Sequence, residues 1–99
     1  MANYLLIWDL NSQYISEDPV TRGNQWKELM KLVEVDYQKG FMKDWGAFIA
    51  EQSGYYVEEG SELEVVILAQ QYTPYVVFET HNYASLEQTK ELLNALTRG

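Results

Sequence analysis

The run Asn3-Tyr4-Leu5-Leu6-Ile7-Trp8-Asp9-Leu10 sets the problem that the rest of the chain has to solve. It is short, apolar and bounded by polar residues, the pattern of a strand. Side chains alternate along a strand, so Tyr4, Leu6 and Trp8 share one face and Leu5 and Ile7 the other. Both sets are apolar, and a strand of that kind needs cover on both sides. The chain has 99 residues, enough for one domain over 1–99, and no cysteine with which to staple a small core. Three Trp, eight Tyr and three Phe in a 46% hydrophobic composition are enough to fill that core, and they exclude a disordered chain.

Downstream, each element carries its own signals. Asp18-Pro19 is a helix start: the aspartate caps free N–H groups and proline suits the first helical position. Trp26, Leu29, Met30, Val33 and Tyr37 then recur at helical spacing until Gly40, which predicts a helix over about 19–39 with a core-facing stripe that includes Trp26 and Tyr37. Residues 41–52 read as a strand, Ser53-Gly54 as a tight turn, and 55–59 as the returning strand. Ser61 and Glu64 have capping-box spacing and predict a helix over about 62–71, against the strand preference of Val65-Val66-Ile67. After Pro74 comes a strand at 75–81 that ends in a turn at Asn82, and a second capping box, Ser85 with Gln88, opens a last helix with Leu86, Leu92, Leu93 and Leu96 on one side.

The order is therefore β-α-β-β-α-β-α, an α+β chain of ferredoxin-like βαββαβ type plus a C-terminal helix, with a four-stranded antiparallel sheet and two helices on one face. The other face is left open. The reading places Tyr4, Leu6, Trp8, Trp45, Ala47, Ile49, Tyr75 and Val77 on that side, with Val76 and Phe78 turned to the helices. An apolar face of this extent calls for cover, and packing against an identical sheet in a two-fold homodimer is the simplest cover.

The passage "GYYVEEGSELEV" and, after a short gap, "YTPYVVFETHNYAS", leading into the last helix, resembles the dimeric α/β-barrel superfamily. That group includes muconolactone isomerase-like proteins, antibiotic-biosynthesis-type monooxygenases and short families without an assigned function, and the likeness is greatest to the last. It covers nearly the whole chain and rests on pattern. It implies a dimeric α/β barrel, with a pocket between sheet and helices or between the two sheets. No residue set matches the catalytic or haem-binding pattern of a characterised branch, so no cofactor is carried over.

Charge narrows the partners. Seven basic residues against fifteen acidic give a net charge of −8, which disfavours nucleic acid and anionic membranes. The N-terminal stretch lacks a basic n-region and is too short to span a bilayer, so a cytoplasmic protein is expected.

Two groups of residues are candidates for chemistry. Glu79 and His81 share one side of the fourth strand, where a carboxylate raises the proton affinity of a neighbouring imidazole and fits it for proton transfer. The competing reading is a solvated strand end. Asp9 lies nearer the start of that strand and does not complete a triad. Tyr4, Trp8, Trp45 and Tyr75 are the candidate ligand-binding set, since Tyr and Trp each combine a large apolar body with one hydrogen-bonding atom. Ordinary interface packing explains them as well. Glu58, Glu59, Glu62 and Glu64 lack metal-loop spacing and are assigned to helix-start electrostatics, so no metal site is expected. Function then lies among a homodimer binding a small organic molecule, an isomerase- or oxygenase-type enzyme using His81, and a structural or regulatory assembly module.

Overall fold

A computed structural model describes residues 2–98. Its elements run β1 (Ala2–Leu10), α1 (Pro19–Gln38), β2 (Asp44–Ala47), β3 (Ser53–Gly60), α2 (Glu62–Gln70), β4 (Val76–Tyr83) and α3 (Leu86–Thr97). The strands form one sheet in the order β2-β3-β1-β4, every neighbouring pair antiparallel. Strands β1 and β2 are thus parallel with β3 between them, and β3 and β4 are parallel with β1 between them. Helices α1 and α2 make the two crossovers, an arrangement compatible with the ferredoxin-like class.

Each helix starts where a side chain satisfies its free N–H groups. Asp18 accepts from Thr21 N at 3.0 Å and from Thr21 Oγ1 at 2.9 Å, which holds its carboxyl below the usual range. Ser61–Glu64 and Ser85–Gln88 both form complete capping boxes, and the first of these overrides the strand preference of Val65-Val66-Ile67.

The sheet resolves the choice posed by β1. Tyr4, Leu6 and Trp8 are buried under the helices, and Leu5 and Ile7 lie on the open face, the reverse of the expected assignment. Register carries the correction across the sheet: Trp45 pairs with Tyr56 and Ala47 with Gly54, so both belong to the helix side. The deciding contact is at Gly54, opposite Trp8. A Cβ there would run into the Trp8 indole and the Gly46 carbonyl, so only glycine lets the indole lie across β3. Trp8 thereby reaches Trp45, stacked at 5.6 Å between centroids and 12° between planes. The open face is built instead from Leu5, Ile7, Tyr55, Val57, Val77, Glu79, His81 and Tyr83.

Three other expectations are corrected. The strand read over 41–52 is only Asp44–Ala47; residues 48–52 are the turn, closed by Phe48 N to Ser53 O at 2.8 Å. Ala50 takes a positive φ of 64° there, and Ile49 stands at the tip in solvent, off the sheet. Ser53-Gly54 begins β3 rather than turning into it, and β4 continues through Asn82 to Tyr83. On α1, Tyr37 is exposed and Asp36 takes the buried position after Val33.

Helix α3 buries none of its residues, and Leu86, Leu92, Leu93 and Leu96 are all exposed. Asn3 Nδ2 donates to Gln88 Oε1 at 3.1 Å and ties its first turn to β1. The rest projects: the radius of gyration is 16.4 Å, and the long axis measures 61 Å against 26 and 20 Å. A compact domain of this length has a radius near 13 Å.

Candidate ligand-binding site

The helix-facing side of the sheet and the apolar stripe of α1 do not close completely on each other. Between them lies a narrow, open-sided cleft with a volume of about 40 Å³, lined by apolar and aromatic side chains. The sheet contributes Trp8, Trp45, Tyr56 and Phe78, and α1 contributes Trp26, Leu29, Met30 and Val33. Trp26 meets Trp8 edge-on at 5.8 Å, so all three tryptophans of the chain form one connected wall. Across the cleft Phe78 is held edge-on between Tyr56, at 6.0 Å, and Tyr72, at 6.2 Å. The T-shaped contacts place ring edges against ring faces, the favoured geometry for such pairs.

Behind the aromatic wall stands a buried polar group that the sequence reading did not bring together. Asp36 is 3% exposed, Tyr56 1% and Glu58 4%. Tyr72 Oη donates to Asp36 Oδ2 at 2.6 Å. Tyr56 and Glu58 are consecutive helix-facing residues of β3, and Tyr4 sits opposite Glu58 in the register. The Tyr56 hydroxyl, Glu58 Oε1 and Trp8 Nε1 are buried without a hydrogen-bond partner. Orphaned buried polar atoms are uncommon and costly. Each of the ion pairs formed among the described residues lies elsewhere, on α1, β4 and α3.

Burial first, and the neighbouring negative charge after it, sets the protonation of this group. Burial, then the Glu64 and Asp36 carboxylates, push the Glu58 carboxyl up to about 7. Burial, then Glu58 and Asp36, push Tyr56 well above the phenol range. Tyr72 is raised by burial and by its hydrogen bond to Asp36. A carboxyl poised near neutrality beside a cleft is a recurrent property of functional sites.

The expected site residues divide. Trp8 and Trp45 line the cleft together, while Tyr4 is packed in the core beside Glu58 without lining it. Tyr75 is apart from all three: it contacts Tyr14 edge-on at 6.2 Å and borders a separate surface depression with Gln25, Glu28 and Leu32. His81 and Glu79 lie on the open face, with Nε2 and Oε2 3.5 Å apart and both side chains more than half exposed. Asp9 pairs with Val77 and His81 with Leu5, so the three do not converge. Among the described residues no group of three or more His, Cys, Asp or Glu could hold a metal ion. No helix among them is long and apolar enough to cross a membrane.

Compared with known protein families, curated proteins and solved structures, the chain matches none.

Proposed function

We propose that this chain is a small-molecule-binding domain whose site is the cleft between α1 and the sheet. The observation that carries the reading is the three-tryptophan wall that faces the apolar stripe of α1 across an open-sided cleft. Binding pockets are mostly apolar, and this one is narrow, so a ligand enters from the open side by moving the side chains that line it. The expected ligand is a compact organic molecule of about one aromatic ring. Trp8, Trp26 and Trp45 all border the site, so intrinsic fluorescence reports occupancy directly. A fragment screen read by tryptophan quenching is expected to return ring-bearing compounds whose effect is lost in Trp45→Ala. A screen in which no fragment alters the emission overturns the proposal.

The open sheet face supports a second element of the proposal, a homodimer of the dimeric α/β-barrel kind in which two sheets pack face to face. Leu5, Ile7, Tyr55 and Val57 form its apolar centre, and the bare leucines of α3 add to the surface that needs cover. The enzymatic alternative, with His81 moving a proton and Glu79 orienting it, belongs to this face. An exposed pair becomes an enclosed one only where a second copy covers it. The acidic, cysteine-free composition supports a cytoplasmic location.

A further inference from the structure

Strand β4 is the long free edge of the sheet: β1 pairs with one side of it, and no strand among the described residues pairs with the other. The opposite edge, β2, has only four residues, while β4 has eight. An open edge is a template for a further strand, and proteins guard their edges with short strands, proline, lysine or bulges. Val76–Tyr83 contains no proline or lysine, and its register with β1 runs unbroken. The ladder shows which backbone groups are free. Asn11 N donates to Tyr75 O at 2.8 Å, continuing the β1–β4 ladder. Backbone groups alternate in direction along a strand, so Val77, Glu79, His81 and Tyr83 turn theirs to β1, and Phe78, Thr80 and Asn82 turn theirs outward. Towards the start of the strand the free row ends, because Val76 N already donates to Tyr72 O at 3.0 Å and Pro74 has no N–H.

We propose that the β4 edges of two copies pair antiparallel about Thr80, so that each chain completes the other's Glu79–His81 site. This rests on the homodimer reading and names the seam along which the two sheets join. An edge and a face present different groups, so the seam adds to face packing, as where a sheet closes into a barrel. Charge selects the register. Centred on Glu79, the pairing would set two carboxylates against each other, which is unfavourable. Only centring on Thr80 sets Glu79 opposite the partner's His81 and His81 opposite the partner's Glu79. The same register pairs Val77 with the partner's Tyr83 and lets the two Thr80 residues exchange both backbone bonds. Glu79 and His81 then fall at non-hydrogen-bonded positions, where facing side chains stand closest. Within one chain Glu79 Oε2 and His81 Nε2 are 3.5 Å apart and more than half exposed. Paired edges gather two carboxylates and two imidazoles on one side of the seam, a cluster that a single strand cannot form.

The chain has no cysteine, so introduced cysteines report the seam directly. Val77 and Tyr83 are both exposed, and in this register they meet across the seam with Cα atoms about 4.5 Å apart, within disulfide reach. Val77→Cys and Tyr83→Cys chains, mixed in equal amounts and oxidised, are expected to give a covalent product of twice the 11.5 kDa chain mass. Each variant alone is expected to stay uncross-linked. Cross-linking of either variant alone as readily as the mixture overturns the register. Glu79→Lys is expected to raise the dimer dissociation constant about tenfold, as two cross-strand pairs turn unfavourable, and Glu79→Lys combined with His81→Glu to restore it. A combined variant no tighter than Glu79→Lys alone means that the two residues do not face each other across the seam, and overturns the shared site. If the wild-type protein sediments as a dimer and the mixture does not cross-link, the seam falls and the homodimer stands. A wild-type protein that sediments only as a single chain overturns both.

Discussion

Glu58 shows how one side chain records the electrostatics of the whole interior. Its carboxyl is raised to about 7 because burial and the neighbouring Glu64 and Asp36 carboxylates all oppose ionisation. In the unfolded chain the group titrates near 4.5, so between those values the folded state holds the extra proton. Its contribution is present in full below the lower value and is lost as pH rises through the upper one. Between about pH 5.5 and about pH 8 the loss amounts to about 2 kcal/mol. Glu58→Gln keeps the shape and cannot ionise, so urea unfolding at those two pH values is expected to show a smaller fall in the variant by that amount. Parallel pH dependence in the two proteins would mean that Glu58 is solvated in its charged form. Gly54 makes a steric case of similar size. Its Cβ would meet the Trp8 indole on one side and backbone on the other, and the backbone has little freedom to move. Gly54→Ala is expected to cost about 2 kcal/mol of stability by overpacking, and to change the near-ultraviolet circular dichroism of the Trp8–Trp45 stack.

At the scale of elements, what could be read from sequence divides along a physical line. The helix starts were legible because capping is local: Asp18-Pro19, Ser61 with Glu64, and Ser85 with Gln88 each act within one turn. The β1 face was not, because Tyr4, Leu6, Trp8 and Leu5, Ile7 are equally apolar and the choice depends on Gly54 in another strand. Asp36 was missed on α1 since Tyr37 continued the apolar stripe equally well by spacing. It is Tyr72, far along the chain, that makes burial of the aspartate tolerable. Glu58 was hidden within an acidic run that reads as a helix-start cluster. Its one signal was its position two residues beyond Tyr56, in phase with the buried side of β3. Trp8 and Trp45 were read as aromatic strand residues, and both lie on strands. Their partner Trp26 was assigned to core packing, and the cleft exists only because helix and strand supply its walls jointly.

For the molecule as a whole, the governing fact is that the single chain leaves two apolar surfaces bare. Helix α3 keeps its leucines in solvent, and the sheet face opposite α1 keeps Leu5, Ile7, Tyr55 and Val57 only partly covered. Its margin is polar, with Asp9, Asp44, Glu59, Glu79 and His81 around that centre. An apolar centre within a polar rim is the usual anatomy of a protein interface. Like-with-like packing of two such faces by a two-fold axis brings the same centre against itself, the commonest form of self-association. Sedimentation equilibrium at micromolar concentration is therefore expected to give twice the chain mass of 11.5 kDa. Ile7→Asp places a charge at the centre of the face and is expected to shift the protein to the single-chain mass. Leu93→Glu separates the two surfaces: dissociation by Leu93→Glu alone would make α3 the interface, and dissociation by Ile7→Asp alone would make it the sheet. A wild-type protein that sediments only at 11.5 kDa removes the dimer. It would equally remove the enzymatic alternative at His81, since that pair would then have no cover from solvent.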